Sequence, residues 1–312
     1  MSRKPIIDLK LGESDFREIF EKKVAFFEGA LHGLNYEWSD FSRDFHGINP
    51  VGGEVRFFQS ERLSPPDYLV AIEENQNVIH EYKVEEIEER FRQGASLVVN
   101  RFDRYSVLGS RVCSDLAQIS KNIVLGNAYV SKGRSRTFGS HWDRHCVFAV
   151  QVIGKKRWKV YRPTMELPLY NQPSTLHKSN GVDPDEKLEL VVDRVLSPGD
   201  ILYVPRGWWH ETETVGAEPS MHISCGVHTL RLHDYLRWVL MSKADQKIEL
   251  RRSVSSPEEF GKQINFALKV FAEECAKDEN HQQYSLERES LYKRNKLVHF
   301  ENFISENFRA EE

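Results

Sequence analysis

Seven short runs rich in β-branched and aromatic residues, ASLVVN, NIVLGNAYV, HCVFAVQVI, RWKVYRP, LELVVD, DILYVP and MHISCGV, follow one another between Gly94 and Val227. Each is short and is bounded by Gly, Pro, Asn or Asp. That spacing predicts an antiparallel sandwich or barrel. The flanks read differently. FREIFEKKVAFFEGAL has helical spacing, PPDYL reads as a loop, and KVEEIEERFRQG has an amphipathic helical pattern closed by Gly94. Between Pro163 and Asp185 the polar stretch NQPSTLHKSNGVDPDE reads as a surface loop. Past Leu230 the strands cease. Ser256 stands as an N-cap before Pro257, Glu259 completes a capping box, and Phe260, Ile264, Leu268, Phe271 and Cys275 make one apolar stripe. Such a stripe serves either as core or as a dimer interface. The expected organisation is mainly β with helical additions. It has a helix-rich segment over 1–93, a β core over 94–229 and a helical region over 230–312.

Two stretches inside the β core carry chemistry. In TFGSHWDRHCVF, an extended backbone would place His141, Asp143, His145 and Val147 on one side. His141 and Asp143 could then hold one ion. His145 is a fourth ligand, a substrate contact or a supporting hydrogen-bond partner. A third ligand has to come from another strand. SPGDILYVPRGWWHETE delivers His210 at the end of a sheet segment, behind a Pro-Arg-Gly turn and two tryptophans. Two histidines and a carboxylate form the facial triad that leaves coordination positions open on non-haem Fe(II). Alone, an HxD pair or a lone histidine is weak; the two stretches in this order are specific. Trp142, Trp208 and Trp209 either shape a substrate entrance or pack.

Three further polar residues interrupt apolar runs. If a returning strand begins at Lys156, that residue shares a face with Trp158 and Val160 and points inward, where an ammonium needs an anion. A small dicarboxylate beside the metal would supply it; snorkelling outward at the turn is the alternative. Asn127 in VLGNAYV and Ser224 in MHISCGV would each need a partner if buried, either a co-substrate carboxylate or neighbouring backbone.

Size and charge remove other classes. The 312 residues can bury a full core, and a net charge of −4 offers no long-range attraction to nucleic acid, although SKGRSR (131–136) is locally basic. No apolar run approaches the ~18 residues of a membrane span, and the first residues lack a signal-peptide core. Cys113, Cys146, Cys225 and Cys275 form no CxxC pair, which fits reduced thiols and a cytoplasmic location.

Taken in order, GNAYV, HWD, FAVQVIGKKRWKVYRP, PGDILYVPRGWWHETE and SMHISCGV resemble the JmjC-type cupin oxygenases. The likeness is greatest to the bacterial and nucleolar ribosomal oxygenases of the cupin-4 type, and it runs from about Gly94 to Val227. It implies a double-stranded β-helix, or jelly-roll, core and Fe(II)- and 2-oxoglutarate-dependent hydroxylation of a protein or peptide side chain, with succinate and CO2 as co-products. By the same resemblance His141, Asp143 and His210 match the iron ligands. Lys156 matches the residue that binds the distal carboxylate of 2-oxoglutarate, and Asn127 a residue of the same pocket. The resemblance also implies homodimerisation through the C-terminal helices, with a ribosomal protein among the candidate substrates. Two departures stand out. The ribosomal oxygenases carry a further winged-helix domain, of which this chain is expected to hold no complete copy, and the paired Trp208 and Trp209 differ from the usual residues of that turn. N-methyl-lysine demethylation by the same chemistry, a metal-binding cupin without turnover, and a zinc or manganese cupin hydrolase or isomerase are the competing functions. The last group more often uses HxH where this chain has HWD.

Overall fold

The computed structural model describes residues 4–11, 13–59, 61–133, 139–169, 188–243, 246–254 and 256–293. Most of the polar insertion and half of SKGRSR lie outside them. The elements of the first part are α1 (Glu13–Ile19), β1 (Ala25–Phe27), α2 (Trp38–His46), β2 (Val55–Gln59), β3 (Glu61–Arg62), β4 (Leu69–Glu74), β5 (Asn77–Tyr82) and α3 (Val84–Arg92). Then follow β6 (Ser96–Val99), α4 (Val107–Ser120), β7 (Ile123–Ser131), β8 (Cys146–Ile153), β9 (Lys156–Tyr161), β10 (Leu190–Leu196), β11 (Ile201–Val204), β12 (Trp209–Thr214) and β13 (Ser220–His228). The remainder is helical: α5 (Leu232–Lys243), α6 (Ile248–Arg251), α7 (Pro257–Cys275) and α8 (Asp278–Lys293). The chain divides into two compact units, Met1–His228 and Thr229–Glu312.

In the first unit the strands form two antiparallel sheets and a hairpin. The large sheet has the order β1-β11-β8-β13-β7-β6-β2-β3, and the small one β10-β9-β12. All seven runs picked out by composition are strands. Their alternation is cleanest in β9, where Lys156, Trp158 and Val160 are buried while Arg157, Lys159 and Tyr161 are not. The inward reading of Lys156 is therefore correct. Strand β11, paired to β1 and β8, is buried at every position because Ile201 and Tyr203 join one core cluster and Leu202 and Val204 another. Behind the large sheet, Phe148 and Tyr203 lie 5.0 Å apart, with Phe16 at 5.9 and 5.7 Å from them.

The structure corrects the sequence reading at several elements. The expected helix through FREIFEKKVAFFEGAL stops at Ile19, and Ala25–Phe27 pairs with Ile201–Tyr203 as a strand. The open edge of β11 decides this, since AFF is as compatible with a strand as with a helix. Four strands, β2 to β5, precede Gly94 where helix and loop were expected. Val55 and Phe57 of β2 are buried against β6, whereas the β4–β5 hairpin is almost wholly exposed. The polar sequence WHETET forms β12, a strand on its own rather than the tail of β11, held by β9 from Trp209↔Tyr161 to Thr214↔Lys156.

In the second unit Ser256 caps α7, its hydroxyl accepting the Glu259 N–H at 3.3 Å, with Pro257 in the first turn. Tyr235, Val239 and Tyr284 form a small core joined by Trp238, Phe271 and Cys275. Only the C-terminal end of the apolar stripe is core; Phe260, Ile264 and Leu268 are 49%, 40% and 53% exposed.

Candidate metal centre

The site is built where the chain leaves regular structure. Residues 142–145 are not part of a strand, and His141 makes a single isolated bridge to His210. In that bridge His141 donates its N–H to the His210 carbonyl at 3.1 Å and accepts the His210 N–H at 2.8 Å. The same face-sharing outcome was expected of a strand, but a tertiary backbone pair produces it. A second backbone bond fixes Asp143, whose carbonyl accepts the Gly207 N–H at 2.9 Å.

These constraints bring His141, Asp143 and His210 together, with one ligand atom from each lying within 4.8 Å of the others. The His141 and His210 rings are 4.4 Å apart, and His210 Nε2 is 3.7 Å from Asp143 Oδ2. Nδ1 of His141 lies 3.2 Å from the Gly139 carbonyl and Nδ1 of His210 3.1 Å from the Trp208 carbonyl. A carbonyl only accepts, so each Nδ1 carries the proton and each Nε2 keeps its lone pair. Burial pushes the His210 imidazole down to about 4; His141 acts in the same direction and Asp143 against it. Burial alone would raise Asp143, but His145, His210, His141 and Arg144 together hold its carboxyl below the usual range. Two neutral imidazoles and one carboxylate are what a divalent transition metal requires.

His145 stays outside this cluster. Its ring lies over Gly226, where a Cβ would come within 3.0 Å of Cε1, and it tilts against His228 at 5.2 Å. Its Nδ1 is buried without a hydrogen-bond partner among the described residues. The three tryptophans are packing groups rather than an entrance. Trp142, Trp208 and Trp209 are 1%, 5% and 1% exposed, and Trp209 donates its indole N–H to Thr164 Oγ1 at 3.0 Å.

A cleft opens beside the three donors, with Tyr129, Ser131, His222 and Ser224 on the large sheet and Lys156 and Trp158 on the small one. Lys156 is 5% exposed and donates from Nζ to Ser131 Oγ at 2.9 Å. Burial, with no carboxylate beside it among the described residues, brings its ammonium down to about 7. Ser224 lines the cleft, opposite Asn127 in the β13–β7 register. Asn127 itself is not among the lining residues. Its Oδ1 accepts the Arg101 N–H at 2.9 Å and its side chain hydrogen-bonds Tyr129. Tyr129, Ser131 and His222 went unread in the sequence, although they alternate with Asn127 and Ser224 along two strands already recognised.

Residues 102–235 match the family model described as the JmjC domain. The bifunctional lysine-specific demethylase and histidyl-hydroxylase NO66 of Drosophila persimilis is 31% identical over 169 residues, which are 53% of this chain and 24% of that protein. NO66 of Drosophila willistoni is 32% identical over 151 residues, 46% of this chain and 19% of that one. The chain thus spans about a quarter or less of the length of these curated relatives. Among solved structures, the ribosomal oxygenase YcfD from Escherichia coli in complex with cobalt and 2-oxoglutarate aligns with a TM-score of 0.58 at 18% identity. That alignment covers 89% of this chain and 70% of YcfD and shows a common fold.

Gly207 is the backbone residue on which the Asp143 loop depends. Its φ is +84°, and a methyl there would lie 2.6 Å from the Met165 carbonyl oxygen and 2.8 Å from Pro168 Cδ. Gly207→Ala should lower unfolding stability by about 2–4 kcal/mol in a urea titration. It should also weaken divalent-metal binding, because the Gly207 N–H would leave the Asp143 carbonyl.

Proposed function

We propose, from the match of residues 102–235 to the JmjC domain model, that the chain is an Fe(II)- and 2-oxoglutarate-dependent dioxygenase hydroxylating a C–H bond of a protein or peptide side chain. The observation that carries the reading is a pairing. His141, Asp143 and His210 present three donors within 4.8 Å, and the same cleft holds a buried lysine with no carboxylate partner among the described residues. Fe(II) bound by these residues supplies, with 2-oxoglutarate and O2, oxidative decarboxylation to succinate and CO2 coupled to hydroxylation.

The chain's own residues do the rest. Lys156 holds the distal carboxylate, and Ser131 orients the ammonium from the strand opposite. Ser224 offers a hydroxyl to the co-substrate from the cleft wall. Asn127 supports the pocket through Tyr129 rather than by direct contact. Trp158, stacked on His210 at 5.8 Å, excludes water from one side of the donors. The NO66 relatives are described as both demethylase and hydroxylase. Release of formaldehyde from a methyl-lysine peptide would identify the demethylase.

The domain assignment proposed with this function is an oxygenase domain over 1–229 and a helical dimerisation region over 230–312. Support for a homodimer comes from α7, where Phe260, Ile264 and Leu268 are exposed in one stripe. A ribosomal protein is the substrate class suggested by the likeness to YcfD, a ribosomal oxygenase. The four free cysteines suit a reducing compartment such as the cytoplasm. Among the described residues no helix is long and apolar enough to cross a membrane.

Anaerobic addition of Fe(II) and then 2-oxoglutarate should produce a weak visible charge-transfer band. His210→Ala should abolish it and Lys156→Ala should weaken it; tightly bound iron without the band would overturn the function. Affinity for 2-oxoglutarate should fall as pH rises above about 7, by up to roughly tenfold per unit. Lys156 is held near that value by burial, so above it the ligand must bring a proton with it. Calorimetric titrations between about pH 6.5 and 8.5 check the sign. Sedimentation velocity should show a dimer that Ile264→Asp with Leu268→Asp converts to monomer; an unchanged wild-type monomer would exclude this interface.

A further inference from the structure

One histidine in the wall of the cleft belongs to neither the donor cluster nor the residues assigned above. His222, on β13, is 4% exposed and lines the cleft. Its ring lies parallel to Tyr129 at 5.0 Å with 12° between the planes, and Trp158 meets it edge-on at 5.4 Å and 83°. Tyr129 comes from the large sheet and Trp158 from the small one, so the ring is clamped between them. The atom this clamp presents to Lys156 is Nδ1, 3.4 Å from Nζ. An ammonium has donors and no lone pair, so in this contact Nδ1 accepts. The imidazole is then neutral with its proton on Nε2. Burial favours the same state, holding His222 well below the ordinary histidine range, with the charges of Lys156 and His210 adding to it.

Lys156 therefore meets two acceptors, Ser131 Oγ from β7 at 2.9 Å and His222 Nδ1 from β13 at 3.4 Å. Behind Ser131 stands Thr214 of β12, with the two hydroxyl oxygens 2.9 Å apart. From this geometry we infer that His222 is a positioning residue: its Nδ1 and Ser131 Oγ engage two N–H groups of Lys156 and aim the third at the co-substrate carboxylate. A lysine has many rotamers, and holding one before the ligand arrives removes part of the ordering cost of binding. The 3.4 Å separation is long for a hydrogen bond, so the role is orientation of the ammonium more than bond strength. The identity of the ligand rests on the oxygenase reading above; the contact between His222 and Lys156 does not.

Two variants separate the acceptor from the ring. His222→Phe keeps an aromatic ring between Tyr129 and Trp158 and removes the acceptor. His222→Asn gives up the ring and returns an acceptor near the place of Nδ1. The first measurement needs neither metal nor co-substrate: NMR titration of Lys156 in the full chain, with lysine labelled at Cε and the signal assigned through Lys156→Gln. Removing an acceptor from an ammonium destabilises its charged form, so the Phe variant should titrate about 0.5 to 1 pH unit below wild type. The Asn variant should titrate close to wild type. The second measurement is turnover of 2-oxoglutarate by the Fe(II)-loaded protein. KM for 2-oxoglutarate should rise roughly five- to tenfold in the Phe variant with kcat little changed, and Asn should recover most of the loss.

Equal Lys156 midpoints in all three proteins would overturn the inference whatever the co-substrate does. Equal losses in the Phe and Asn variants would also overturn it, since the shape of the ring alone would then matter. A midpoint that moves as expected, in a wild-type protein that does not take up 2-oxoglutarate, would leave the contact standing and remove the oxygenase reading. Should His222→Phe not fold, His222→Leu removes the same acceptor and carries the comparison with Asn.

Discussion

The site depends on one reciprocal backbone pair. His141 and His210 exchange both of their main-chain hydrogen bonds, yet neither neighbouring segment continues the ladder between them. A pair of this kind fixes the separation of two Cα atoms as a strand would, while leaving the residues beyond free to bend. Asp143 can then turn toward the two imidazoles, and the Gly207 N–H holds the bend from behind. A regular strand through 141–145 would have kept His145 in line with His141 and Asp143. Instead the chain carries His145 off to Gly226 and His228, and three donors converge rather than four.

Electrostatics along the cleft follow from the same burial. Around the donors, burial keeps His210 neutral while the surrounding imidazoles and Arg144 keep Asp143 ionised, so the cluster offers lone pairs and one negative charge. Further along, burial acts on Lys156 with nothing acidic among the described residues to oppose it. A cavity with three candidate metal donors on one side and, among the described residues, an ammonium without a carboxylate on the other suits an anion that spans the two. The cost of burying that ammonium is carried by the fold, which has two packed sheets to draw on.

The two tryptophans before His210 belong to the structural side of this arrangement. Trp208 packs with Trp158, Leu202 and Val204, and Trp209 is tied to Thr164 through its indole N–H. They anchor the turn that launches β12, and thereby set where His210 points. In the sequence they could be either packing or entrance residues, because a large aromatic next to a ligand serves both purposes equally well. Only the contacts separate the two.

Period-two alternation was enough, in the sequence alone, to place seven strands and to turn Lys156 inward with Trp158 and Val160, while donor chemistry and the order of two stretches singled out His141, Asp143 and His210. Those features are local: they depend on strand period and on what a side chain can donate. What the sequence could not carry was pairing at a distance. Ala25–Phe27 is a strand because β11 has a free edge, and the polar WHETET is a strand because β9 takes up its hydrogen bonds. His222 reaches Lys156 only because the two sheets close over each other. In each case the deciding partner lies far along the chain, and no window of neighbouring residues contains it.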